Sequence, residues 1–399
     1  MDDGAPASVL RPPSSVLRHV RALAEGIGPR GSTTSGEAQA ADYARRALEN
    51  AGLQAWVEPF TSARSAWWPA ALAAVLSLIA EGIFWFGGQT GAWVAAGLQA
   101  LAFVSGLLEL NFVTNPLRWV LPKGPSQNVV AVIPPSGPVE RQVVLVGHLD
   151  SHRTPFIFGS TTRLRAFRLL TILGLLSFIA NLGLYVLVAI TSDRTWAPWT
   201  LGPAFILLLV VLMTLQADFT PYTPGANDNA SGAALVMALV ERLTRRPLSR
   251  TRVWAVCSGC EEVGCYGAAA FVARHRQELE GACFLVIDSV GGGDLCYITR
   301  EAMSLPYHSD PGLIALAGEI ARRRPELGAQ PRVFTAAYTE GAIGVKAGLR
   351  TLTLLGLTPD GFVPNWHRLT DTPDRVDPAM LARTEAFVWE LLQAIDRGE

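Results

Sequence analysis

The sequence predicts an α/β fold: a central mixed, mostly parallel β-sheet flanked by helices on both faces, interrupted by two apolar helical hairpins. Three observations predict it. Short runs rich in Val, Ile and Leu alternate with amphipathic segments of helical spacing, the pattern of strands covered on both sides. Charge is nearly absent from two blocks, residues 66–112 and 166–217, and ordinary elsewhere. Histidines and carboxylates fall just after several strand runs, where sites gather in sheets of this kind.

Taken in order, Thr34-Ser35-Gly36-Glu37 has capping-box spacing and opens a helix that stops at Gly52. Residues 128–133 and 142–146 read as strands, joined by the turn Pro134-Pro135-Ser136-Gly137-Pro138. A helix over 231–243 leads to a strand at 252–257, a helix at 264–276 and a strand at 283–287. A helix at 312–323, a strand at 351–355 and a closing helix at 378–397 complete the pattern. There is no internal repeat.

Within the two charge-poor blocks lie four stretches long enough to span a bilayer: 66–88, 92–112, 169–190 and 196–217. Tryptophans at their ends suit an interfacial belt. Glu81 is the awkward member, because an ionisable group at membrane depth needs a partner or a cavity. Each pair returns the chain to its starting side, so one domain, built from 1–65, 113–165 and 218–399, would hold all the motifs. Arg64, Arg118, Lys123, Arg163, Arg165 and Arg168 flank that side, whereas the far turns carry only Arg194. The positive-inside rule then expects a multi-pass membrane protein with this domain in the cytoplasm.

With 399 residues the chain has room for two or three domains. Only 17% of it is charged, against about 25% in average soluble domains, and the two apolar blocks account for the deficit. A net charge of −1 supplies no basic field for nucleic acid. The five cysteines are an odd number clustered between 257 and 296, which is no disulfide framework and fits reduced thiols. The acidic start, Met-Asp-Asp-Gly-Ala-Pro, lacks the basic-then-apolar pattern of a secretory signal. Nothing in the chain fixes an oligomeric state.

The chemistry-bearing residues are His148 and Asp150 in Gly-His-Leu-Asp, Asp228 in Ala-Asn-Asp-Asn-Ala-Ser-Gly, Glu261 and Glu262 after a strand, Asp288 at the end of Phe-Leu-Val-Ile-Asp, and His367 in Asn-Trp-His-Arg. Two imidazoles among several carboxylates form a donor set for two neighbouring zinc ions, and point to a metal-dependent hydrolase. Weaker candidates are His152, the run Cys257, Cys260 and Cys265, which lacks a second pair at zinc-finger spacing, and Glu340, which could hold a substrate ammonium or cap a helix. His19, His275 and His308 read as surface residues.

These segments, in this order, resemble the co-catalytic dizinc aminopeptidases, a family related more distantly to glutaminyl cyclases. The likeness covers about 15–60, 127–155 and 220–378, and Ile27-Gly28-Pro29-Arg30 is similar to the family's entry loop. The resemblance implies two Zn2+ per chain and a peptide substrate cut at its N-terminus. It makes His148 and Asp288 ligands of one ion, Glu262 and His367 ligands of the other, and Asp228 the bridge. It makes Asp150 the group that orients His148, and Glu261 the general base. His152 departs from the family's ligand spacing, and Trp366 stands where the family often has a tyrosine that offers its hydroxyl to the oxyanion. The competing readings are a glutaminyl cyclase, which is an acyltransferase, a non-catalytic peptidase-like membrane module, and a transporter.

Overall fold

The computed structural model describes residues 14–399. The acidic N-terminal stretch, on which the reading of no secretory signal rests, lies outside them. The chain divides into two compact units, one of 1–62, 125–152 and 222–399, the other of 63–124 and 153–221.

The first unit holds a nine-stranded sheet: β1 (Ala55–Ala63), β2 (Lys123–Ile133), β3 (Arg141–His148), β4 (Thr251–Ser258), β5 (Cys283–Asp288), β6 (Asp294–Ala302), β7 (Pro306–His308), β8 (Gln330–Phe334) and β9 (Arg350–Leu357). The spatial order is β1-β2-β4-β3-β5-β9-β6-β7, with β8 beside β6. The inner strands β4, β3, β5 and β9 run parallel, while β2, β6 and β7 pair antiparallel around them. The sheet is therefore mixed and parallel at its centre, as the alternation of strands and helices implies.

Helices α1 (Ser14–Arg21), α2 (Ser35–Asn50), α8 (Gly232–Arg245), α9 (Tyr266–Arg274), α10 (Pro311–Arg323), α11 (Glu340–Lys346) and α12 (Pro378–Arg397) belong to this unit. The apolar faces of α2, α8, α10 and α12 form one core with alternate residues of β2, β3, β4, β5 and β9. Ala233–Val240 of α8 is buried throughout, because this helix crosses the middle of the sheet against β3. Close approach is possible because Gly147 and Gly232 face each other: a Cβ on Gly147 would sit 2.8 Å from the Gly232 backbone.

Several sequence expectations need correction. Thr34 is the N-cap position of α2, but its hydroxyl donates to the Gly31 carbonyl instead of capping. Glu37 accepts from the Thr33 amide and is drawn inward to Ser126 and Cys260, so a tertiary contact replaces the capping box. His19 and His275 are buried, not surface residues: His19 lies between Tyr43 and Glu241, and His275 between Glu58 and Glu278. His308 is exposed.

The second unit contains α3 (Trp68–Phe86), α4 (Gly88–Leu110), the short α5 (Leu117–Val120), α6 (Thr161–Thr191) and α7 (Leu201–Asp218), the last preceded by a 3-10 turn over Arg194–Thr200. Four of its helical spans are long and apolar enough to cross a membrane by length and composition. Its interior combines small residues, Ala73, Ala74, Ala80, Ala92, Ala95 and Ala102, with a few large ones, Phe84, Tyr185 and Leu207. Large apolar side chains such as Trp93, Leu169, Ile172 and Leu212 point outward. That inversion suits helices packed in lipid, where small residues let backbones approach. Glu81 finds partners within the bundle: Tyr185 (2.5 Å), Thr200 (2.6 Å) and Trp85 (2.7 Å) all donate to its carboxylate.

Candidate metal centre

Parallel strands end on one edge of a sheet, and that edge gathers the predicted residues. His148 is the last residue of β3 and sits level with Ser258, the last of β4. Glu261 and Glu262 follow β4 after Gly259 and Cys260, and Asp288 ends β5. Asp228 lies in the turn Ala226–Ser231 that opens α8, with a cis peptide joining it to Asn229. His367 lies in the loop between β9 and α12.

The seven side chains converge. The Nδ1 of His148 lies 3.1 Å from the main-chain carbonyl of Asp150 and 3.5 Å from its carboxylate. This turns Nε2 toward Asp228 Oδ1 (3.4 Å), Asp288 Oδ1 (3.6 Å) and Glu261 Oε2 (3.8 Å). Asp228 offers its other oxygen, Oδ2, to His367 Nε2 at 3.2 Å, and Glu262 Oε2 lies 3.1 Å from the same nitrogen. Ligand atoms of His148, Asp228 and Asp288 fall within 4.8 Å of one another, as do those of His148, Glu261 and Glu262, and those of His152, Glu262 and His367.

Asp150 braces this arrangement from behind. Its two oxygens accept the main-chain amides of Glu261 (3.0 Å) and Glu262 (3.1 Å), and Ser32 adds a 2.6 Å bond. The β4 exit loop is thereby tied to the β3 exit loop. Asp371 does the same for Asp228, taking the amides of Asn227 (2.7 Å) and Asp228 (3.0 Å). Asn229 links the start of α8 to the end of β5 through Gly232, Ser289 and Ile287. Arg30, fully buried, donates to five carbonyls, those of Leu23, Gly28, Leu149, Pro224 and Gly225. Ser32, Asn229 and Asp371 are not singled out by the sequence. Only the position of Asp371, four residues after His367, hints at its part.

The electrostatics are those of an acidic cluster held out of water. Burial pushes the Glu261 carboxyl well above the usual range, and Glu262, Asp288 and Asp150 add to this against the pull of His148. Burial likewise raises Glu262 to about 7, opposed by His367. Burial would raise Asp228 too, but the two histidines outweigh it and hold that carboxyl well below the usual range. For His367 burial favours the neutral ring, yet Glu262 and Asp228 prevail and lift it to about 9. The donor chemistry fits a pair of divalent cations: two imidazoles, four carboxylates, and a buried His148 Nε2 without a hydrogen-bond partner.

Glu340 is buried at the start of α11, but Thr339 is the residue that caps this helix. Burial first of all lifts the Glu340 carboxyl to about 7, with His148 opposing. Trp366 is buried beside His367, the ring centroids 4.9 Å apart. The five cysteines are free and buried, and Cys260 and Cys265 donate their thiols to Glu37 and Glu261.

The fold is shared with solved zinc aminopeptidases and glutaminyl cyclases. The chain superposes on a zinc aminopeptidase from Bacillus subtilis with a TM-score of 0.57 at 12% identity, covering 98% of this chain and 96% of that one. It superposes on a glutaminyl cyclase from Fimbriiglobus ruber with a TM-score of 0.56 at 15% identity, covering 98% and 97%. Residues 210–392 match the model of peptidase family M28, which bears out the resemblance drawn from the ligand-bearing segments. A probable lipoprotein aminopeptidase of Mycobacterium tuberculosis, LpqL, is 28% identical over 205 residues, 45% of this chain and 41% of that protein. A probable zinc metalloprotease of Leptosphaeria maculans is 39% identical over 79 residues, 18% of each. The chain thus spans less than half the length of the curated relatives it matches.

Proposed function

We propose that this chain is a membrane-anchored zinc metallopeptidase that removes N-terminal residues from peptides. In this reading His148 and Asp288 would hold one ion, Glu262 and His367 the other, and Asp228 both. The observation that carries it is Asp228, which presents one oxygen to the first histidine at 3.4 Å and the other to the second at 3.2 Å. A carboxylate shared in this way offsets the repulsion between two cations about 3.5–4 Å apart.

Zinc, when bound, polarises the scissile carbonyl and acidifies a coordinated water. The chain's own residues supply the rest. Glu261 takes the proton of the attacking water on its carboxylate and passes it to the leaving amine. Its burial among carboxylates raises its proton affinity, which suits a group that must both accept and donate. Asp150 fixes Glu261 and Glu262 through their main-chain amides, so base and ligand keep a constant separation. Trp366, with its indole ring beside His367, could donate its N–H to the oxyanion, or the metals could carry that charge alone.

Glu261→Gln should keep its zinc and its fold and lose about 10²–10⁴-fold in turnover on aminoacyl anilides and peptides. Full activity in that variant would sink the mechanism. Conversion of N-terminal glutamine to pyroglutamate, read by product mass, would move the assignment to the cyclase branch.

The four apolar helices would cross the bilayer as two hairpins, with the arginine-flanked side in the cytoplasm. Native cysteines are buried, so single exposed cysteines can report topology. An impermeant thiol reagent applied to whole cells should leave such a site in the sheet unit unlabelled, and ready labelling would reverse the orientation.

A further inference from the structure

We propose that His152 is a third side-chain donor at the cation position formed by Glu262 and His367. This rests on the metallopeptidase reading. His152 lies two residues past Asp150, outside the ligand spacing of the family it resembles, so the sequence sets it aside. The fold brings it back. It is buried, and one of its donor nitrogens falls within 4.8 Å of ligand atoms on both Glu262 and His367. Its ring lies face to face with that of His367, the centroids 3.7 Å apart and the planes tilted by 13°. Its backbone is fixed, because its carbonyl accepts the Thr223 amide at 2.8 Å and the neighbouring Ser151 amide donates to the Arg30 carbonyl at 3.1 Å.

Chemistry favours a donor over a mere ring. A second imidazole gives this position two nitrogens and two carboxylates, counting the shared Asp228, which fills zinc's preferred four places. The His148 position keeps one nitrogen and two carboxylates. Imidazole-rich sites favour zinc over manganese and magnesium, so His152 would also set which metal this position retains.

The test uses full-length protein in detergent, titrated with zinc and cobalt against a chromophoric chelator. His152→Phe keeps a flat ring over His367 but has no donor atom, and His152→Ala removes both. The expected result is two ions in the wild type. One of them should be bound at least about tenfold more weakly in both variants, with the other unchanged and the cobalt spectrum of the weakened position altered. A Phe variant that holds both ions as tightly as the wild type, while Ala does not, would assign His152 to stacking alone and overturn the proposal. Loss of both ions together in the Phe variant and in His152→Gln would make the residue structural and overturn it equally. Wild-type protein that takes up no zinc would instead remove the metallopeptidase reading itself.

Discussion

Asp150 shows how one carboxylate can organise a centre without needing to bind at it. Its oxygens are spent on two amides and one hydroxyl, and its main-chain oxygen faces the His148 ring. Asp150→Asn leaves an amide nitrogen facing one of the two backbone N–H groups, so the loop must shift. We expect a loss of about 10–100-fold in zinc affinity, measured by chelator competition, with little change in the size of the site. A second expectation concerns the thiols. Burial pushes Cys257 up to about 12 and Cys296 up to about 11, so at pH 8 almost no thiolate exists to react. A chromogenic disulfide reagent should find close to no reactive thiol in the native protein and all five after denaturation. At this scale the sequence was most legible where chemistry is scarce: His148, Asp228, Glu261, Glu262, Asp288 and His367 are residue types that a strand end seldom needs for packing. The bracing residues were not legible. Ser32, Asn229 and Asp371 act through hydrogen bonds to distant partners, and no local pattern distinguishes such a residue from an ordinary turn former.

Among the elements, strands buried on both faces announced themselves, because β3, β4, β5 and β9 must be apolar along most of their length. The strands β1, β6, β7 and β8 were missed. β1, β7 and β8 mix buried and exposed residues, and Pro59, Arg300 and Pro331 interrupt the apolar pattern that would mark these strands. The capping box failed for a related reason, since Glu37 has stronger partners at Ser126 and Cys260 than the local amide pattern offers. Close packing makes one element-scale prediction sharp. A Cβ on Gly232 would lie 2.0 Å from the Ile287 carbonyl, backbone that cannot rotate away. Gly232→Ala should therefore cost about 2–3 kcal/mol, read from chemical denaturation, and should also disturb Asn229 and hence the Asp228 turn. A variant as stable as the parent would show that α8 can lift off the sheet more easily than the packing indicates.

For the whole molecule, the core cluster under α2, α8, α10 and α12 is formed, among the described residues, by residues of the sheet unit. The gaps left by the apolar segments are narrow: β1 neighbours β2, and His152 is bonded to Thr223. Replacing 63–124 and 153–221 by short polar turns should then yield a monodisperse domain that needs no detergent and melts cooperatively. Aggregation of that product, with no cooperative melt, would show that the apolar helices are required for folding. The Thr223–His152 hydrogen bond closes an excursion of about 70 residues. As a random coil, that excursion would cost about 3–4 kcal/mol of chain entropy to close. A helical hairpin formed before the sheet closes would meet this cost beforehand and deliver the loops bearing Asp150 and Asp228 as neighbours.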